Sequence, residues 1–285
     1  MKGRIIKSSG GFYYIKSGDK RIETRARGVF RHENIEPIVG DIVDFKYGED
    51  TLGYIEEIYP RKNMLVRPKV ANVDLALIMI PLKDPKYNLN LIDKMIVQCE
   101  KSQIDILICI NKIDLDRDHG VEIGKIYEQA GFDTIKISVK EGENLQKLET
   151  KLKSKTTALC GVSGAGKSSL TNILMGKKLE VGEVSQKTKR GKHTTRHVEL
   201  YSKDDYYIFD TPGFSSLQLN LPKEELSHYF REFKDYRQDC KFHNCNHINE
   251  PKCGVKRAVK LGNISSIRYE NYQYLFQELE QRGGY

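Results

Sequence analysis

Residues 1 to about 67 alternate apolar and polar positions in short runs. GRIIKS, GFYYIKS, KRIETRAR, DIVDFKY and LGYIEEIY each read as a strand, and SSGG, SGD and YGED separate them. A period of two buries one face of a strand, and five short strands at this spacing predict a small barrel of the OB type. PRKNMLVRPK (60–69), with two prolines, reads as a linker.

From residue 70 to about 215 the period changes. VDLALIMI, IDILICI, DTIKIS and TTALCG are apolar strands, and HVELYS and DYYIFD close the series. Between them NLIDKMIVQCEKS, HGVEIGKIYEQAGF (ended by Gly131) and ENLQKLETKLKS carry helical spacing, and VSGAGKSSLTNILMG is a loop entering a helix. This is βαβ order, a mostly parallel sheet covered by helices. Residues 216–285 have little strand character. KEELSHYFREFKDY puts Leu226, Tyr229, Phe230 and Phe233 on one helical face, and SSIRYENYQYLFQELEQR does so with Tyr269, Tyr272, Leu275, Phe276 and Leu279. Both stripes read as core packing. The expectation is a multi-domain chain: a β-barrel (1–67), an α/β domain (70–215) and a small α-helical domain (216–285).

Composition narrows the class. The 285 residues are 39% hydrophobic, and no apolar run reaches the ~18 residues that span a bilayer. The N-terminus lacks a secretory segment; a cytoplasmic location and no membrane partner follow as defaults. The net charge of +8 suits solubility or a polyanionic partner. In the barrel, Arg4, Lys7, Lys16, Lys20, Arg21, Arg25, Arg27 and Arg31 interleave with Phe12, Tyr13 and Tyr14. That mixture fits phosphate contacts plus base stacking; the plainer reading puts the aromatics in the core and the charges in water. Cys99, Cys109 and Cys160 sit in apolar surroundings as buried thiols, whereas Cys240, Cys245 and Cys253 cluster, which in a cytosolic chain favours a metal over disulfides.

Gly161, Val162, Ser163, Gly164, Ala165, Gly166, Lys167 and Ser168, followed by Ser169, match the P-loop pattern between a strand and a helix. A chance match in a chain this long is on the order of 1%. Glycines let backbone N–H groups curl around phosphate oxygens, the helix N-terminus adds positive potential, Lys167 reaches the β- and γ-phosphates, and the Ser168 hydroxyl suits Mg²⁺. The base is chosen elsewhere. Asn111, Lys112, Ile113 and Asp114 end the strand ILICI. Guanine presents N1–H and a 2-amino group side by side, and the Asp114 carboxylate accepts both; adenine would leave that carboxylate unpaired. Lys112 can lie over the base, Asn111 can tie neighbouring loops, and Ser138, after DTIKI, offers a backbone N–H for guanine O6.

Asp210, Thr211, Pro212 and Gly213 end the strand YYIFD and read as the γ-phosphate sensor, with Asp210 on Mg²⁺ through water and the Gly213 N–H on the phosphate. KTKRGKHTTRH (187–197) reads as a switch loop, in which Thr194 or Thr195 places a hydroxyl on Mg²⁺. The guanine reader therefore precedes the P-loop, the reverse of the usual GTPase order. Cutting a parallel sheet at one loop and rejoining the old termini preserves every contact, so a circularly permuted G domain is the simplest account.

NKID, GVSGAGKSSL, GKHTTR, DTPGF and the Cys/His cluster together resemble the ribosome small-subunit-dependent GTPase A family over essentially the whole chain. The resemblance implies an N-terminal OB-fold, a permuted GTPase and a C-terminal zinc domain. It implies a cytoplasmic GTP hydrolase acting late in small (30S) subunit assembly, binding that subunit and its rRNA and stimulated by it; a monomer is the expectation. Phe214 stands where Ras-like proteins carry a water-orienting Gln, so intrinsic hydrolysis should be slow. His193 is a candidate water-positioner, beside the plainer role of a solvated or phosphate-contacting loop residue. Cys240, Cys245, His247 and Cys253 offer three sulfurs and one nitrogen, a set suited to one closed structural Zn²⁺ site. Spacing favours His247 modestly over His243, and the family pattern implies His247. Two other classes stay open: a GTP-gated RNA-binding factor in which hydrolysis only resets the state, and a P-loop ATPase of nucleic-acid metabolism, against which NKID argues.

Overall fold

The structure is a computed structural model and describes residues 1–28, 30, 35–47, 52–66, 68–176, 198–210 and 217–282. The first five strands are β1 (Lys2–Ser9), β2 (Phe12–Ser17), β3 (Lys20–Ala26), β4 (Ile42–Tyr47) and β5 (Gly53–Ile58). β1 pairs antiparallel with β2, β2 with β3, β4 with β5 and β4 with β1, while β3 runs parallel to β5. That circuit closes the OB-like barrel. The alternation behind the prediction has a direct counterpart: Ile5, Ile15, Ile22, Val43, Phe45 and Ile55 point inward and are buried. A register shift between Ile5 and Lys7 bends β1, the usual effect of a bulge.

The supposed linker is structured. β6 (Met64–Leu65) and β7 (Val70–Ala71) form an antiparallel ribbon. The Arg61 guanidinium donates from Nε to Asp41 Oδ1 at 2.7 Å and from Nη2 to Asp41 Oδ2 at 2.8 Å. Asp41 is fully buried, so this bidentate pair fastens the segment to the barrel. Gly40 is required here. Its φ is +100°, and a Cβ would lie 2.1 Å from Ala71 O.

The α/β elements follow in the predicted order. They are β8 (Leu75–Pro81), α1 (Leu89–Lys101), β9 (Asp105–Asn111), α2 (Arg117–Gln129), β10 (Asp133–Ile137), α3 (Leu145–Leu152), β11 (Thr156–Cys160), α4 (Lys167–Met175), β12 (Glu199–Lys203) and β13 (Tyr206–Asp210). β8 is buried at every position, as expected of a strand covered on both faces. The C-terminal segment adds α5 (Lys234–Arg237), α6 (Gly254–Lys260) and α7 (Ser266–Arg282). The predicted helix across 223–236 is instead two 3₁₀ turns, Lys223–Tyr229 and Arg231–Phe233, leading into α5. Phe230 between them is extended, at φ −100° and ψ 90°. Tertiary contacts override the helical pattern: Leu226, Phe230 and Phe233 still reach the core, while Arg231 bonds Glu100 and Glu232 bonds Arg268. α6 had no strong sequence signal.

The chain divides into two compact units, 1–76 with 146–214 and 77–145 with 215–285. In the first, β11 and β13 run parallel, β12 pairs antiparallel with β13, and β12 meets the barrel at β1 through Lys7 and Glu199. In the second, β9 and β10 run parallel, and a core of Val97, Leu226, Phe230, Phe233, Tyr272, Leu275 and Phe276 joins α1 to the C-terminal segment.

Candidate functional site

In the first unit, β11 delivers the chain into a loop of three glycines. Gly161, Gly164 and Gly166 have φ of +152°, +78° and +96°, a sequence of conformations that side chains disfavour. Gly166 is the N-cap of α4. Lys167 is the first residue of the helix and only 7% exposed; its ammonium donates to Gly161 O at 2.9 Å and Val162 O at 2.8 Å. The lysine thus closes the loop on itself at the place where phosphate oxygens are expected. Ala165 is buried beneath the loop, Ser163 faces outward, and Ser168 and Ser169 are half-buried on the first turn. Asp210, the last residue of β13, is half-buried. Burial raises its carboxyl from the ordinary value, and the Lys167 ammonium opposes that rise. His193, Thr194, Thr195, Thr211, Pro212, Gly213 and Phe214 lie outside the described residues.

In the second unit, β9 ends at Asn111, whose Oδ1 accepts from Lys112 N at 2.8 Å and Val139 N at 3.1 Å. One amide therefore ties the reader loop to the loop after β10. Lys112 is left-handed at φ 67°, and Ile113 opens a short 3₁₀ turn and is buried. Ser138 donates two bonds in this loop. Its N–H donates to Glu143 O at 3.2 Å, while its hydroxyl donates to Asp114 Oδ1 at 2.6 Å. Without nucleotide the N–H expected to meet guanine O6 is bonded within the loop, and the hydroxyl holds one oxygen of the Asp114 carboxylate.

Cys240, Cys245, His247 and Cys253 converge with their ligand atoms within 4.8 Å of one another. His247 Nδ1 lies 3.3 Å from Cys253 Sγ and 3.6 Å from Cys240 Sγ. Gly254 N–H donates to Cys240 Sγ at 3.2 Å and Lys256 N–H to Cys253 Sγ at 3.4 Å. His243, the rival imidazole, is exposed and outside the group. Burial pushes the Cys245 thiol up to about 12 and the His247 imidazole down to about 4, so the imidazole is neutral and ready to ligate. Backbone donors aimed at sulfur and a neutral imidazole fit a divalent cation. Three groups here escaped the sequence reading. Tyr269 and Tyr272 donate their hydroxyls to His247 O and Asn246 O, each at 2.6 Å, and the Glu250 carboxylate accepts from Asn246 N at 2.6 Å and Ile248 N at 3.0 Å. In sequence the tyrosines read as a core stripe; their three-residue spacing on α7 is the available signal.

The barrel cations also divide. Arg4 Nη1 donates to Thr156 Oγ1 at 2.6 Å with its guanidinium 4.6 Å from the Tyr207 ring centre, Lys7 pairs with Glu199 at 3.3 Å, and Lys16 donates to Ser202 at 2.7 Å. These three serve packing. Arg21 and Arg25 are exposed and lie 4.5 Å over Tyr14 and Phe12 respectively. Arg31 lies outside the described residues.

A P-loop on one strand end, an Asn-Lys-x-Asp reader on another, and the reader first in the chain define a circularly permuted P-loop GTPase joined to an OB-like barrel and a Cys/His module. The RsgA GTPase family model matches residues 58–220, and the RsgA N-terminal domain model matches residues 2–55. The small ribosomal subunit biogenesis GTPase RsgA of Clostridium novyi is 46% identical over 286 residues, covering 99% of both chains. That of Caldanaerobacter subterraneus is 44% identical over 285 residues, covering 99% of this chain and 97% of the relative. Among solved structures, YjeQ from Thermotoga maritima superposes with a TM-score of 0.83 at 37% identity, covering 98% of each chain. YloQ, a circularly permuted GTPase, superposes with a TM-score of 0.80 at 36% identity, covering 99% of this chain and 95% of that one. This chain belongs to the RsgA GTPase family and is a GTP hydrolase.

Proposed function

We propose that the protein hydrolyses GTP during late maturation of the small ribosomal subunit, binding that subunit and its rRNA in a nucleotide-dependent way, as a cytoplasmic monomer. The observation that carries this is the joint presence of P-loop and guanine reader in a chain that matches subunit-biogenesis GTPases over almost its full length.

In this reading Gly161 to Ser169 hold the phosphates through backbone N–H groups, and the Lys167 ammonium exchanges its two carbonyl partners for β- and γ-phosphate oxygens. Asp114 accepts from guanine N1–H and the 2-amino group, with Asn111, Lys112, Ile113 and Ser138 shaping the pocket. Ser168, Asp210 and one of Thr194 or Thr195 would hold Mg²⁺, which when bound neutralises charge on the phosphates. The Gly213 N–H meets the γ-phosphate, and His193 is the candidate for orienting water. Cys240, Cys245, His247 and Cys253 would hold one structural Zn²⁺. Among the described barrel cations, the exposed Arg21 and Arg25, over Tyr14 and Phe12, are the best placed to meet RNA.

The test is GTP hydrolysis with small subunits, large subunits or neither. Stimulation by small subunits alone is expected. Equal rates in all three would overturn the assignment to that subunit, and equal competition by ATP would overturn the guanine reading.

A further inference from the structure

The segment between β8 and α1 makes a series of contacts with the guanine reader. Leu82 N donates to Asn111 O at 3.1 Å. Lys83 Nζ donates to Leu115 O at 3.3 Å and pairs with Asp116 at 3.5 Å. The Asp84 carbonyl accepts from Lys112 Nζ. The Tyr87 hydroxyl lies 2.6 Å from His119 Nε2, with the two rings 5.8 Å apart. Residues 82–87 thus follow residues 111–119 along their length, and Lys112, the residue placed to cover the base, is held by its ammonium.

The far end of this segment is anchored. Asn88 caps α1, accepting from Asn90 N at 2.9 Å. Within that helix Asp93 is fully buried and accepts from Arg268 Nη1 at 2.5 Å, Asn271 Nδ2 at 2.6 Å and Tyr127 OH at 3.3 Å. Arg268, also fully buried, donates to Glu232 Oε1 at 2.7 Å and Oε2 at 3.1 Å. Breaking a buried pair leaves an uncompensated charge, so α1 is held firmly against α7 and α2.

We propose that residues 82–87 are a brace for the guanine reader, in which Lys83, Asp84 and Tyr87 are positioning residues for nucleotide binding and the Asp93–Arg268 pair fixes the helix the brace hangs from. The proposal rests on Asn111 to Asp114 being the guanine reader. A Lys112 stem fixed at its tip covers one face of the base without first being ordered, and pre-ordering of that kind strengthens binding. The reader meets only the base, so the brace acts equally on GDP and GTP and leaves the phosphate step alone.

The experiment uses the full-length protein, with Tyr87→Phe, Lys83→Ala and their combination, all of which spare the buried pair. Affinities for GDP, GTP, IDP and ADP are measured by competition, and kcat at saturating GTP alongside. Wild type should prefer GDP to ADP; without that preference the reader reading falls and the brace with it. Given that preference, each single variant should bind GDP and GTP about three- to tenfold more weakly by the same factor, the scale of one hydrogen bond. The GDP-over-IDP ratio should fall, because the Asp114 carboxylate is less well placed for the 2-amino group, and kcat should hold. Wild-type affinities in the double variant, or a loss confined to GTP or to kcat, would overturn the brace.

Discussion

The Ser138 hydroxyl donates to Asp114 Oδ1 at 2.6 Å from a fully buried position. A carboxylate that must accept two parallel donors from one base edge loses affinity if it rotates, and this bond stops the rotation. Ser138→Ala should weaken GDP and GTP alike by about tenfold, the ~1–1.5 kcal/mol of one such bond. Asp114→Asn should lose GTP and gain XTP, because xanthine offers a carbonyl where guanine has an amino group. Nucleotide competition against a fluorescent GDP checks both. An unchanged GTP-to-XTP ratio in Asp114→Asn would remove Asp114 from base recognition.

Arg4 on β1 and Arg21 on β3 are both barrel cations and should behave oppositely. Arg4 is partly buried, bonded to Thr156 and stacked on Tyr207, so Arg4→Ala should destabilise the protein by about 2 kcal/mol through lost packing and an unpaired hydroxyl. Arg21→Ala and Arg25→Ala, on exposed side chains, should stay within about 0.5 kcal/mol in stability while weakening RNA binding and flattening its salt dependence. Chemical denaturation and filter binding separate the two outcomes. RNA affinity unmoved by both exposed variants would assign RNA binding elsewhere.

That division marks where the sequence stops being informative. Alternation in β1 to β5 settles which side chains face the barrel core, because a period of two leaves one choice. It cannot tell a cation in water from one facing strands outside the barrel, and Arg4, Lys7 and Lys16 look like Arg21 until β12 and β13 are in place. The same holds for Arg268. It sits on the buried face of α7, one turn before Tyr272, yet a lone arginine at the start of a polar helix reads as solvated. Only Asp93, on α1, and Glu232 make its burial intelligible, and no local pattern links residues so far apart in sequence. The P-loop, the reader and the Cys/His cluster were legible because their chemistry is carried by spacing within a few residues. The 3₁₀ turns around Phe230 were not, because partners elsewhere decide them.

Asp210 joins stability to activity. Burial raises its carboxyl despite Lys167, so the ionised form is a cost to the folded, nucleotide-free protein. A folded-state value above the unfolded one means the folded state binds the proton more readily, and stability rises as pH falls through that raised value. Asp210→Asn mimics the protonated form. It should melt higher than wild type without nucleotide, and lose Mg²⁺-dependent GTP hydrolysis by about a hundredfold or more. Differential scanning calorimetry and phosphate release measure the two. A lower melting temperature together with retained turnover would contradict both expectations.

The Cys/His group makes the most direct claim on folding. Its four ligand atoms converge within 4.8 Å, and Cys245 and Cys253 belong to the core built around Phe233 and Tyr272. Without a cation, one buried imidazole and three thiols contribute little. With Zn²⁺ bound, thiolate coordination contributes directly to folding stability. Chelation, or Cys240→Ser, should therefore cost about 3 kcal/mol or more, on the order of 10 °C in melting temperature for a unit of this size. Because Tyr269 and Tyr272 hold the loop that carries His247, their fluorescence should change as the metal leaves. His243→Ala should keep one equivalent of zinc and the wild-type melt. Elemental analysis of the purified protein decides the point: no zinc in the wild type, or a full equivalent retained by Cys240→Ser, would rule the site out as read.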